Sequence, residues 1–330
     1  MTKIPLEHLI NSRSLTTVHA NELQLVLTKE NNYLFDLSYL SVLDVNGEQA
    51  SEFLQGQLTC DLRSVSDIQM LQGAQCNLKG RILTLMDVIN WQGIQCILPK
   101  DLIESTQKSL IRTALLSRVC INENRNLAIF GFYLQNIKDI IPDSIFLPSN
   151  AYAQAYGLNY CYYHLGHGFY IFVVKKEFIE NFCAPYIQQD QLLGSLTWHS
   201  LMLINQHVDI YPESRGLFLP HRIGLHHTHY ISFDKGCYKG QEIIARTHYR
   251  ATLKHELKIY VIKTNEAIYS VQKLYKSTEG TEIGELIDYS QLNIHTYLIA
   301  VSLLKEPIHM ALFDGHSKPV ELIDTNKWFY

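Results

Sequence analysis

The sequence predicts an α+β protein with two related α+β halves followed by a small β-barrel or sheet. Three observations predict it. Residues 39–122 read as strand, helix, hairpin, helix, strand, the split βαβ or ferredoxin-like order. A weaker copy of that order follows at 127–189. From Leu257 onward only short strand-like pieces remain, the pattern of a small closed or open sheet.

Each element has its own justification. Tyr39 to Val45 reads as a strand. In "NGEQASEFLQGQL" the residues Ala50, Phe53, Leu54 and Leu58 recur at helical spacing, with Asn46 and Gly47 as turn and cap. Met70 to Cys76 and "RILTLMDVINW" are two strands turned by "NLKG", and "GIQCIL" is a third. Asp101 to Leu116 is a helix with Leu102, Leu110 and Leu115 among its apolar positions, and "RVCIN" closes the first half as a strand. In the second half "LAIFGFYL" is a strand, "NYCYYHLGHGFYIFVV" a hairpin and "KKEFIENFCAPYIQQ" a helix. Trp198 to Val208 is a further helix, and Pro212 to Arg250 reads as irregular, rich in Gly, His and Tyr. "KIYVI", "TEIGELI", "YLIAVSLL" and "HMALF" are the C-terminal strands. The resulting units are 1–125, 126–250 and 251–330.

The bulk numbers exclude several classes. With 47 % apolar and 18 % charged residues the chain can bury a core, which a disordered chain cannot. A formal charge of −4 disfavours a general nucleic-acid binder, and no direct nucleic-acid binding is expected. Seven cysteines lie far apart and no CxxC occurs, so a reducing compartment fits better than a disulfide framework or a zinc ribbon. The N-terminus has no apolar signal region, and the longest apolar runs fall far short of the roughly 20 residues of a membrane span. A cytoplasmic protein without membrane contact is expected. Neither GxGxxG nor GxxxxGK[ST] occurs.

One stretch concentrates chemistry. "DKGCYKGQE" sets Cys237 between Lys235 and Lys239, whose ammonium groups favour thiolate. Gly236 and Gly240 permit positive φ and close approach of a ligand, and Gln241 and Glu242 add hydrogen-bonding groups. The same residues also describe a glycine turn with its cysteine packed inward. His221, His226, His227 and His229 precede the loop, and imidazole with thiolate suits zinc, copper or iron. Their spacing matches no known structural site, so no metal centre is expected. Cys237 with His248 is formally a nucleophile pair if the fold brings them together. Lys79 and Arg81 flank Gly80 in a turn and either meet an anionic ligand or stay solvated. Trp198 is either core or a platform for a ligand ring.

"GLFLPHRIGLHHTHYISFDKGCYKGQEIIARTHYR" resembles the signature segment of the folate-binding YgfZ family, relatives of the glycine-cleavage T-protein, an aminomethyltransferase. Lys235 to Glu242 match the signature Lys-Gly-Cys-Tyr-x-Gly-Gln-Glu at every fixed position, and "GEQASEFLQGQLTCDL" and "AQCNLKGRI" resemble its N-terminal segments. The similarity covers roughly 40–120 and 195–250. It implies a GcvT/YgfZ-like fold, with two ferredoxin-like α+β subdomains and a C-terminal β-barrel around a central channel that takes tetrahydrofolate. It further implies an accessory role in iron–sulfur cluster assembly or repair, with iron–sulfur proteins as partners and an indirect effect on tRNA modification. Cys237 falls on the signature cysteine, the reactive thiol, and Lys235 on the signature lysine, and these two are the expected catalytic residues. Trp198 aligns with a folate-contacting tryptophan. Lys79, Arg81, Tyr238, Gln241 and Glu242 are the further expected folate contacts. Two alternatives stand beside this reading: a folate-dependent aminomethyl or one-carbon transferase, and a non-catalytic interaction protein that has lost the ligand. The chain departs from its relatives at Gly224 (usually Asn), at Tyr230 (usually Gly) and in "LINQHVD", and Leu40 stands where some relatives carry a second folate-contacting Trp.

Overall fold

The computed structural model describes residues 6–18, 25, 27–114, 117–142, 146–276 and 280–325. The chain opens with an antiparallel hairpin, β1 (Leu6–Ile10) and β2 (Arg13–Thr17), followed by β3 (Tyr33–Asp36). The first α+β unit then runs β4 (Leu40–Asn46), α1 (Ala50–Gln55), β5 (Leu71–Cys76), β6 (Ile82–Asn90), β7 (Ile94–Pro99), α2 (Lys100–Ala114) and β8 (Cys120–Asn124). Its sheet is antiparallel throughout, in the order β5-β6-β7-β4-β8. Taken from β8 to β6, this is the expected ferredoxin-like arrangement, and β5 adds one edge strand. The helices form because their apolar residues repeat every three or four positions. α1 buries Ala50, Phe53 and Leu54, and α2 buries Leu102, Ile103, Leu110 and Ala114. The N-cap of α1 is Gln49, not Asn46 or Gly47. Leu115 and Leu116, expected at the end of α2, lie outside the described residues.

The second unit comprises β9 (Leu127–Tyr133), β10 (Gln154–Tyr156), β11 (Tyr160–Gly166), β12 (Phe169–Lys175), α3 (Ile179–Gln188) and β13 (Leu192–Leu193). Its sheet order is β10-β11-β12-β9-β3-β13. The copy is imperfect in two ways. Among the described residues no α-helix links β9 to β10. And β3, from upstream of the first unit, inserts between β9 and β13, where Leu34 and Phe35 are fully buried. The unit expected at 126–250 therefore borrows a strand from the unit expected at 1–125.

α4 (Ser195–Ile204) starts three residues before Trp198 and ends four short of Val208. The segment that reads as irregular up to Arg250 contains two 3-10 turns, Pro220–Ile223 and Leu225–His227, and a full helix, α5 (Gln241–Arg250). Sequence periodicity misses α5 because it buries only Ile244 and so has no apolar stripe to recognise.

The third unit holds β14 (His255–Lys263), β15 (Lys273–Tyr275), β16 (Glu282–Asn293), β17 (Thr296–Leu304), β18 (Met310–Phe313), β19 (Val320–Glu321) and β20 (Ile323–Asp324). The order is β19-β18-β15-β16-β17-β14-β20. Only Leu322 separates the two outermost strands in sequence, so the sheet nearly closes on itself. β15, β19 and β20 are too short for pattern recognition.

Candidate functional site

The cysteine loop is pegged to the C-terminal end of α1, where a helix leaves carbonyls without intrahelical partners. Lys235 is buried, and its Nζ donates to the carbonyls of Gln55 (2.7 Å), Leu58 (2.8 Å) and Cys60 (2.6 Å). Three further bonds join the loop to this region, two of them between backbone groups. Ser232 N–H donates to Thr59 O, Thr59 Oγ1 to Tyr230 O, and Lys239 N–H to Gly56 O. Burial pulls the Lys235 ammonium down to about 8, while three carbonyl acceptors favour the protonated form. Lys235 therefore acts as an anchor whose three donors are all engaged. Cys237, two residues on, is exposed, and nothing lies within 4 Å of where a Cβ on Gly236 would point.

The second half of the loop rests on the "NLKG" turn. Asn77 Oδ1 accepts from the backbone N–H groups of Lys79 (2.9 Å) and Arg81 (3.0 Å), which folds that turn. Gly80 (φ +68°) and Gly240 (φ +88°) meet there backbone to backbone. A Cβ on Gly240 would stand 2.5 Å from Asn77 O and 3.0 Å from Gly80 Cα. Of the two loop glycines, only Gly240 uses positive φ. Gly240 caps α5, and Gln241 Oε1 accepts from Tyr238 N–H at 3.3 Å. Tyr238 is buried, with the Lys235 ammonium 5.1 Å from its ring centroid. Lys79, Arg81 and Glu242 are exposed, and the Arg81 guanidinium donates to Leu217 O.

Trp198 sits elsewhere, at a cavity of about 90 Å³ between the units. The indole is buried over Gly131, where a Cβ would stand 2.4 Å from Cε3, and packs against Phe35 (5.3 Å between ring centroids) and Phe169 (5.6 Å). It is thus a core residue and a cavity wall at once. The same cavity is lined by Gln72, Asp87, His199, Asp209 and Tyr230. Asp87 accepts from the Tyr163 hydroxyl (2.7 Å) and from Gln72 Nε2 (3.1 Å), and burial raises it to about 6. Gln72 Oε1 is buried without a partner. Burial likewise raises Asp209, against the pull of Arg13, whose Nη1 lies 2.6 Å away. Burial opposes charge on His199, but Asp288, 3.2 Å away, and Asp209 outweigh it and raise its pKa. Of the residues expected to contact folate, Trp198 alone lines this cavity; Lys79, Arg81, Tyr238, Gln241 and Glu242 do not, nor does Cys237. Asp87 and Gln72 are missed from sequence alone, although a carboxylate inside the apolar run "LTLMDVI" is a signal for the first.

A second cavity, of about 360 Å³, shares Leu85, His207, Val208 and Tyr230 with the first. His207, His221, His226, His227 and His255 line it. His229 is not among them, and its ring lies against Tyr152. Cys237 is not among them either, so the histidines and the thiol do not form one site. His248 stacks on Phe233 at 3.8 Å, and among the described residues no hydrogen bond joins it to Cys237.

No protein-family model matches the chain. It is 26 % identical over 255 residues to the tRNA-modifying protein YgfZ of Colwellia psychrerythraea, covering 74 % of this chain and 76 % of the relative. It is 24 % identical over 284 residues to the protein of the same name from Buchnera aphidicola, covering 84 % and 88 %. Among solved structures, the glycine cleavage system aminomethyltransferase T from Bartonella henselae superposes with a TM-score of 0.73, covering 97 % of this chain and 93 % of that one. At 11 % identity that likeness concerns the fold: the α+β units and barrel-like sheet are those of the aminomethyltransferase T fold.

Proposed function

We propose that this chain, a relative of the tRNA-modifying YgfZ proteins, holds the pterin ring of a tetrahydrofolate in the Trp198 cavity and serves iron–sulfur proteins through Cys237. Its support of tRNA modification is then indirect, as an accessory protein for iron–sulfur cluster assembly or repair. The observation that carries the folate part is the acceptor set beside the indole. Gln72 Oε1 lacks a donor, and Asp87 stands next to it. The amino group and ring N–H on one edge of a pterin are donors of the kind these groups need. At roughly 10–15 Å³ per water on this measure, 90 Å³ holds about six to nine waters, the scale of a two-ring heterocycle and not of a whole folate. Tyr230, in place of the relatives' glycine, walls the cavity and limits it to the ring. When bound, tetrahydrofolate supplies a carrier for one-carbon units. Around it, Asp87 and Gln72 orient the ring edge, Trp198 and its aromatic neighbours exclude water, and Asp87, raised to about 6, exchanges a proton near neutrality.

The thiol has its own support. Cys237 is exposed at the tip of a loop whose base is fixed by Lys235, so it can reach a partner's cluster without rearrangement of the fold. A second reading, a one-carbon transferase, draws on the two cavity carboxylates, Asp87 and Asp209, as groups that handle a folate amine.

Three experiments bear on the proposal. Titration with tetrahydrofolate is expected to give a saturable change in tryptophan fluorescence that Trp198→Phe abolishes. A wild-type protein without saturable response ends the folate reading and leaves the interaction protein that has lost its ligand. In cells under oxidative stress, Cys237→Ala is expected to lower the activity of iron–sulfur enzymes while folate binding persists. Full activity in that strain ends the role of the thiol, and turnover of an aminomethyl donor by purified protein favours the transferase.

A further inference from the structure

The histidine-walled cavity is not used by the reading above. Its imidazoles come from three separate parts of the chain: His207 follows α4, His221, His226 and His227 lie in the two 3-10 turns, and His255 begins β14. Among the described lining residues Glu256 is the only carboxylate and Lys305 the only ammonium.

His221 is the most deeply buried histidine of this cluster. Its side chain is 97 % buried, and neither ring nitrogen has a protein partner; His226 Nδ1 is also buried and unpartnered. Buried histidines normally satisfy their nitrogens, as His199 does with Tyr289 O (3.2 Å) and Asp288, although His164 in the second sheet also leaves both of its own without a partner. An orphan nitrogen costs the desolvation of a polar group, and a ligand taken up between His221 and His226, which both line the cavity, would relieve that cost. The rings of His221 and His226 lie 4.8 Å apart between centroids. Clustered imidazoles without thiolates select borderline divalent ions such as zinc, nickel and cobalt.

We propose that this cavity binds one divalent transition-metal ion, with His221 and His226 as its first two ligands and a further imidazole of the lining, His207 or His255. Among the described residues no three donors already converge at ligating distance, so capture turns the imidazoles into the cavity about their side-chain torsions. With His255 as third ligand the bound ion ties the 3-10 turns to the start of β14, and with His207 to the segment after α4. In sequence the signal is hidden, because the spacing of "HRIGLHH" matches no known site and His207 and His255 are supplied by the fold.

The test uses the full chain stripped with chelator, and zinc and cobalt as probes. Calorimetry is expected to give one zinc per chain, cobalt to give ligand-field absorption, and zinc to raise the melting temperature, as any ligand of the folded state does. His226→Gln and His221→Gln are each expected to weaken zinc by at least the roughly tenfold that even an outer partner of a metal site is worth. The exposed His309→Gln serves as control and is expected to bind as wild type. If His221→Gln does not fold, the half-buried His226 and His255 variants carry the measurement. Absence of saturable binding overturns the site, as does a loss of binding in His309→Gln equal to that in His226→Gln, which marks adventitious surface chelation. Because none of these readouts involves folate, failure of the Trp198 cavity to bind it leaves the result intact.

Discussion

At the cysteine loop, each proton of the Lys235 ammonium goes to a carbonyl near the end of α1. The two conspicuous residues of the signature are thereby separated: Lys235 holds the loop and Cys237 is presented by it. Replacing a buried, fully bonded cation leaves three buried carbonyls without donors. Lys235→Met is therefore expected to destabilise the fold by about 3 kcal/mol, read as a lower urea midpoint with unchanged slope. Cys237→Ser, at an exposed tip, is expected to stay within about 0.5 kcal/mol of wild type in the same measurement. A Lys235→Met protein of undiminished stability but slower thiol alkylation would reverse the assignment and make the lysine the activator of the thiol.

At the level of elements, two turns that are 160 residues apart in sequence are packed as one. Gly80 and Gly240 touch along their backbones, so the β5–β6 hairpin and the start of α5 position one another. Gly240→Ala adds a Cβ at 2.5 Å from Asn77 O in a residue with φ of +88°. Both the contact and the left-handed backbone oppose it, and a loss of about 2 kcal/mol or more is expected. Thermal unfolding of Gly240→Ala beside Gly236→Ala checks this. Gly236 has open space and no positive φ, so a similar loss in both variants would contradict the docking. In the "NLKG" turn, Gly80 makes the contact with α5, while Lys79 and Arg81 on either side of it stay exposed.

At the level of the whole molecule, buried polar groups join the units. Arg13 of β2 pairs with Asp101 of α2 (2.8 Å) and with Asp209 (2.6 Å), while Asp288 of β16 accepts from Tyr211 Oη (2.6 Å) and from Asp209 N–H (2.7 Å). The histidine cavity lies at the same junction and makes it sensitive to acid. Burial first, then neighbouring His248 and His227, lowers His221 to about 4; burial and its neighbours, Lys305 included, do the same for His226. Both values lie below the ordinary 6.5, so the unfolded chain takes up these protons first. Their contribution is present above about pH 6.5 and is lost as pH falls toward about 4. The melting temperature of chelator-treated protein is expected to fall steeply across that window, and His221→Gln to flatten the fall. A slope unchanged in His221→Gln would assign the acid lability to other groups.

The sequence by itself determined the class of fold and most of its elements. The strands and helices of the first unit and the long strands of the barrel-like sheet follow from apolar period, a local property of the chain. The eight signature residues from Lys235 to Glu242 likewise pointed to one family. Tertiary structure alone decided where those residues sit and what they touch. It inserted β3 into the second sheet, turned α5 into a helix on the strength of one buried isoleucine, and placed Trp198 in a cavity that Cys237 does not line. It also brought Asp87 to Gln72 and His207 and His255 to His221. Hydrogen-bond partners, burial and orphaned nitrogens depend on which distant segments meet, and no spacing along a chain encodes that.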